Sequence, residues 1–166
     1  MQVFLPYSDV QRSLNTLDNK RLGKQRVEAL QIIKAIEGRP KLDGTPYKGW
    51  LNHPCVIMWR DNLDYLKWYY NFSIYEWVRR GFNNTMMPEY IKTSLADTPA
   101  PNWCGYDKFH DSHKSNLLRK DFIFYSRQGW DVNPNEPYWW LDVDGNWYRQ
   151  KAGDKLREYV GIVELI

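Results

Sequence analysis

Cysteine is nearly missing from this chain: Cys55 and Cys104 are the only two in 166 residues. Two thiols make no disulfide framework, and no Cys spacing of the metal-site kind is present. No apolar run approaches the roughly 20 residues needed to span a bilayer. The opening Met1-Gln2-Val3-Phe4-Leu5-Pro6 has neither a basic n-region nor an apolar h-region, so it does not read as a signal peptide. Internal repeats and low-complexity linkers are absent too. These gaps argue against a disulfide-stapled secreted module, a zinc-type domain, a membrane-spanning protein and a solenoid. The expectation left standing is a soluble protein of a reducing compartment, with one hydrophobic core.

Charge of one sign is missing in stretches. Residues 20–26 hold Lys20, Arg21, Lys24 and Arg26 with no acid, and residues 114–120 hold Lys114, Arg119 and Lys120 with none. Residues 131–148 reverse this, with Asp131, Glu136, Asp142 and Asp144 and no Lys or Arg. The net charge of +3 is small, so the clustering matters more than the sum. It suits either a one-sided phosphate footprint or two solvated helix faces. Aromatic residues are plentiful, at 16 % with nine Trp and twelve Tyr. Such rings chiefly fill a core, and a minority can stack on bases.

Apolar periodicity predicts three helices. The first runs from Val10 or Leu14 to Ile36 and stops at Glu37-Gly38-Arg39-Pro40, with Gly just past the end and Pro two residues on. The second runs from Pro54, a residue suited to a first turn, to Arg80 before Gly81. The third covers His110 to Tyr125. Residues 39–52 and 84–108 read as loops. Residues 138–150 read as a hairpin with an Asp144-Gly145 turn, and Tyr159 to Ile166 as a stretch that pairs with it. The expected fold is mainly α, a compact single domain of about three helices with a small C-terminal β-hairpin element. Residues 1–130 form the helical domain, and 131–166 a hairpin extension packed on it.

The densest chemistry lies in Leu17-Asp18-Asn19-Lys20-Arg21-Leu22-Gly23-Lys24-Gln25-Arg26-Val27-Glu28. Lys20, Lys24 and Glu28 are spaced i, i+4, i+8 and share one helix face, with Arg21 and Gln25 beside them. This pattern has two readings. One is a row of surface ion pairs worth about 0.3–0.5 kcal/mol each. The other is a catalytic carboxylate among phosphate-binding cations.

That run, followed by Glu37-Gly38, resembles the signature of the pyrimidine dimer DNA glycosylases of the phage endonuclease V type. Tyr47 to Trp59, with its Asn52-His53-Pro54 step and Met58-Trp59 pair, agrees. So do Arg80-Gly81-Phe82-Asn83 and the stretch Ser112-His113-Lys114-Ser115-Asn116-Leu117-Leu118-Arg119-Lys120-Asp121, which looks like the third-helix motif of bacterial members. The resemblance spans roughly residues 1–130. It implies a DNA repair glycosylase with AP lyase activity, working as a monomer on double-stranded DNA in the cytoplasm of a phage-infected or bacterial cell, away from membranes. It also implies catalysis by the α-amine of the first residue and a Glu on the first long helix. The matching positions are Met1 and Glu28. Gln2 is large, and initiator Met is normally removed only before small residues, so Met1 is expected to stay.

Elementary chemistry supports the pair. An attacking amine must be unprotonated, and α-amines titrate at about 7.7–8.0 against about 10.4 for Lys. A carboxylate can stabilise positive charge on the opening sugar and help move the proton whose loss breaks the 3′ phosphate bond. No metal or organic cofactor is needed. Lys20, Arg21, Lys24, Gln25 and Arg26 are the expected DNA contacts near Glu28. Lys114, Arg119 and Lys120 are second choices, and His53 and His113 are polar candidates that could equally cap a helix or satisfy a loop. Trp59, Trp139 and Trp140 read as core rather than stacking platforms. Three competing readings remain: a glycosylase for another modified or oxidised pyrimidine, a non-catalytic DNA-binding module, and a structural interaction protein.

Overall fold

A computed structural model describes residues 1–41, 43–46, 50–86 and 97–161. The Tyr47 end of the second motif, Pro88 and the last five residues lie outside the described residues. The chain divides into two units, Met1–Phe4 with Asp9–Pro101 and Leu5–Ser8 with Asn102–Ile166. The architecture is mainly α with a small β element. Among the described residues, five α-helices have six residues or more, in place of the expected three, and a four-residue helix follows them.

In the first unit, the helix expected from Val10 to Ile36 is two: α1 (Val10–Thr16) and α2 (Asn19–Ile36). The break lies at Leu17 and Asp18, both extended. Asp18 turns its carboxylate back to accept the Arg21 N–H at 3.1 Å, which caps a new helix more favourably than it would continue the old one. Asp9 caps α1 in the same way through the Arg12 N–H. The orphan carbonyls at the end of α1 are met by Arg80, whose guanidinium donates to the Leu14, Asn15 and Leu17 oxygens. Arg80 is itself bonded to the buried Glu76.

The second expected helix also divides, into α3 (Pro54–Trp59), a 3-10 turn at Arg60–Asn62 and α4 (Leu63–Arg79). Asn62 leaves helical geometry, and its side chain bonds back to the Met58 oxygen, the alternative that makes Asn a poor helix-interior residue. Helix α2 packs along α4. Leu22, Ala29, Ile32 and Ile33 of α2 and Tyr65, Leu66, Tyr69, Tyr70 and Ile74 of α4 are buried, as are Val3, Phe4 and Trp59. Val27 and Val78, apolar in the sequence pattern, are exposed.

In the second unit, α5 (Asp107–Lys120) starts earlier than expected and ends at Asp121, which caps the short α6 (Phe122–Tyr125) by accepting the Phe124 N–H. Strands β1 (Tyr138–Leu141), β2 (Trp147–Gln150) and β3 (Glu158–Tyr159) form an antiparallel sheet in that order. The hairpin connection is longer than an Asp-Gly pair. Asp142 accepts the Asp144 and Asn146 N–H groups, and Gly145 takes the positive φ of 82° that the turn requires. Pairing with β2 begins at Glu158, one residue before the expected stretch. All four β1 residues are buried, so the Trp139-Trp140 pair belongs to the core of this unit.

Candidate active site

The site is built where the opening residues lie along α2. Glu28 Oε2 accepts the backbone N–H of Gln2 at 3.1 Å and a second N–H from the Gln25 side chain at 3.3 Å. The nitrogen that meets Glu28 is thus one residue in from the chain's first amine. On the other carboxylate oxygen, Oε1, Lys24 Nζ lies at 3.8 Å; the lysine side chain is 71 % exposed and the glutamate 13 %. The i, i+4 spacing of Lys24 and Glu28 read from the sequence is realised as this loose ion pair. Lys20 is exposed one turn earlier on α2.

Gln25 is 1 % exposed and all its bonds are internal. Its oxygen accepts the Phe4 N–H at 2.8 Å and the Tyr69 hydroxyl at 2.6 Å, and its nitrogen donates to the Gln2 carbonyl at 3.0 Å. Gln2 is buried as well. Its side-chain oxygen accepts the Val3 N–H at 2.9 Å and the Cys55 thiol at 3.7 Å. Burial pushes the Cys55 thiol up to about 12, so it stays a thiol and a donor.

His53 closes the N-terminal end of α3 by accepting the Cys55 N–H on Nδ1. Burial, and after it the positive charge of the chain's N-terminus, holds His53 down at about 4. The imidazole is therefore neutral at physiological pH. Trp50 meets its ring edge-on at 5.7 Å.

Most of the other expected contacts are bonded within the protein. Arg26 is 8 % exposed, lies 4.0 Å over the Trp77 ring and donates to Asn84, and burial lowers its pKa. Arg21 pairs with Asp18 at 3.4 Å. Gln25 and Arg26 thus do not face solvent, because the α2 face that carries them is the one packed against the opening residues and against α4. In the second unit, His113 is fully buried and accepts the Leu5 N–H at 2.9 Å. Burial, with a smaller push from His110, holds it well below the ordinary histidine value. Arg119 donates to Ser115 and to the Pro134 and Glu136 carbonyls, tying down the chain that leads into β1. Lys114 pairs with Asp111 at 2.8 Å, and Lys120 is exposed. Among the described residues, no group of three or more His, Cys, Asp or Glu side chains is placed to hold a metal ion, and no helix is long and apolar enough to cross a membrane.

The family model for pyrimidine dimer DNA glycosylase matches residues 1–89, more than half of the 166. The chain belongs to that family. Comparison with curated proteins and with solved structures gave no match. The matched span holds the whole of the Glu28 arrangement, from the opening residues through α4 to the Arg80-Gly81-Phe82-Asn83 turn. The α5 motif lies outside it. Three members of this arrangement escaped the sequence: Gln2, Tyr69 and Cys55. The signal for Tyr69 and Cys55 is apolar-type spacing, since both fall where core residues belong, and Gln2 carries no such signal. Arg80 does structural work that its motif disguised.

Proposed function

We propose that this family member is a DNA glycosylase with AP lyase activity, of the phage endonuclease V type in its bacterial-like branch, acting on pyrimidine dimers. The α-amine at the start of the chain attacks C1′ of the damaged nucleotide, and the bond from C1′ to the base breaks, the base leaving with the electron pair. Ring opening then gives an imine between C1′ and the amine, with the proton going to O4′. Loss of a C2′ proton drives β-elimination, which breaks the C3′–O3′ bond and nicks the strand. Glu28 stabilises the developing positive charge on the sugar and moves these protons.

The observation that carries this reading is the 3.1 Å contact from Gln2 N to Glu28 Oε2, which sets the carboxylate one residue from the terminal amine. The positive charge of the chain's N-terminus, a secondary cause of the lowered His53 value, is consistent with this reading. A neutral His53 adds no cation to compete for Glu28. Lys20 and Lys24, exposed on α2, are the first phosphate contacts in this reading, and Lys120 is a further one.

Incubation with ultraviolet-irradiated plasmid, with and without borohydride, tests it. The expected result is nicking without borohydride, and with it a covalent adduct that peptide mass spectrometry locates on Met1. An adduct on Gln2 would mean that Met1 is lost before the reaction. Neither nicking nor an adduct would end the proposal, and an adduct formed only with a different modified pyrimidine would move the substrate and keep the chemistry.

A further inference from the structure

Gln25 does more than fill space under the opening residues. The direction of its carboxamide is fixed by its partners. The Phe4 N–H can only donate and points at Gln25 Oε1 from 2.8 Å. A flipped amide would set N–H against N–H, so the NH2 group must face Gln2 O at 3.0 Å and Glu28 Oε2 at 3.3 Å. Tyr69 Oη at 2.6 Å, on α4, locks the same oxygen. One side chain therefore holds the backbone of residues 2 and 4 and one oxygen of the carboxylate together. Residue 2 is held on both sides: its N–H by Glu28 and its carbonyl by Gln25.

An extended chain advances about 3.3 Å per residue, so a slip of one residue along α2 would carry the terminal amine out of reach of Glu28. We infer that Gln25 is a positioning residue that sets the register of the chain's first residues against Glu28, and that Tyr69 orients it. This rests on the function proposed above. Gln25 touches neither sugar nor base. It acts through the amine and the carboxylate, leaving Glu28 Oε1, on the side of the exposed Lys24, as the oxygen turned toward the substrate.

Single-turnover borohydride trapping on irradiated duplex tests the inference in the full-length chain. Gln25→Met keeps the length and removes all four bonds. Tyr69→Phe keeps the two NH2 bonds and removes a hydroxyl that lies 2.6 Å from Gln25 Oε1 and 2.9 Å from the Phe4 carbonyl. The expected result for Gln25→Met is a trapping rate about 10–100-fold lower, the order that a misplacement of about 1 Å brings, with duplex affinity and final adduct per folded protein close to wild type. Tyr69→Phe should slow trapping by about 3–10-fold, since it loosens the amide without removing it. A purely structural Gln25 would lower the amount of trapped protein and leave the rate per active molecule unchanged, and that result overturns the inference. If Gln25→Met does not fold, an unchanged rate in Tyr69→Phe overturns it. Wild-type protein that forms no adduct at all would instead sink the parent reading, and this one with it, a result that does not depend on either variant.

Discussion

In the first unit the opening residues are held by a carboxamide and a carboxylate of α2; in the second, residue 5 is held by two imidazoles of α5. The second arrangement fixes its own tautomers. His110 Nε2 accepts the Gly105 N–H at 2.9 Å, so Nδ1 carries the proton and donates to the Leu5 carbonyl at 2.7 Å. His113 Nδ1 accepts the Leu5 N–H, so it is the opposite tautomer. Both are neutral, and burial is the leading cause in each. The contrast teaches that similar backbone clamping can serve different ends. The α2 groups hold residue 2, one position from the chain's first amine, where the proposed chemistry needs it. The α5 groups are sealed and can only hold.

The largest effect should come from separating chemistry from clamping in the first unit. Glu28→Gln keeps an oxygen that can accept the Gln2 and Gln25 N–H groups, but removes the charge. Nicking of irradiated plasmid should fall about 10²–10⁴-fold, the usual worth of a general acid–base group, while the thermal midpoint shifts little. Equal nicking rates in variant and wild type would mean that the clamp is all this glutamate does.

Breaking the other clamp should do the reverse. His113→Ala empties a fully buried site and strands the Leu5 N–H, at a cost of about 2–4 kcal/mol in urea unfolding. Surviving folded protein should keep its trapping rate. Acid should expose the same difference in the wild type. His53, His110 and His113 all have lowered values in the fold, so the unfolded chain binds more protons below its own histidine pKa of about 6.5. Their contribution is fully present above that pH and is lost as pH falls toward the folded values, which for His53 is about 4. Urea midpoints measured from pH 7.5 to 4.5 should be flat at first and then drop, and His53→Ser, which can still cap α3, should remove only the His53 share.

The sequence made the first half of this comparison partly legible. Glu28 and Lys24 sit where helical spacing puts them, and the mainly α character followed from apolar period. What it hid were rotations and interruptions. A buried Gln and a solvated Gln look alike in a string of letters, so Gln25 and Arg26 read as outward-facing beside Lys24. The caps Asp18 and Asp121 interrupt apolar patterns that continue on either side, and a period count runs straight through them. His113 and Arg119 lie in a basic stretch that suggests phosphate. His113 is buried on the Leu5 N–H, and Arg119, though exposed, is bonded to the carbonyls before β1, partners that nothing in the local sequence announces. The α5 motif also lies beyond the span that the family model matches.

The smallest expected effect concerns Gly23, which carries no functional group. A Cβ at this position would lie 3.0 Å from Trp77 Cζ3 and 3.1 Å from Cη2. The indole has little room to give. Its nitrogen donates to the Asn83 carbonyl at 3.1 Å, its ring stacks on Phe82 at 4.1 Å, and Arg26 lies over it at 4.0 Å. Alanine would gain up to about 1 kcal/mol in helix propensity, and crowding a packed ring costs about 1–3 kcal/mol. Gly23→Ala should therefore lose about 1 kcal/mol net in urea unfolding. Glu28 lies more than a turn further along α2, so the rate of adduct formation should stay within about twofold of wild type. A larger fall in rate than in stability would show that the α2–α4 approach at Gly23 sets the geometry at Glu28, and that packing and chemistry in this unit cannot be separated as Glu28→Gln assumes.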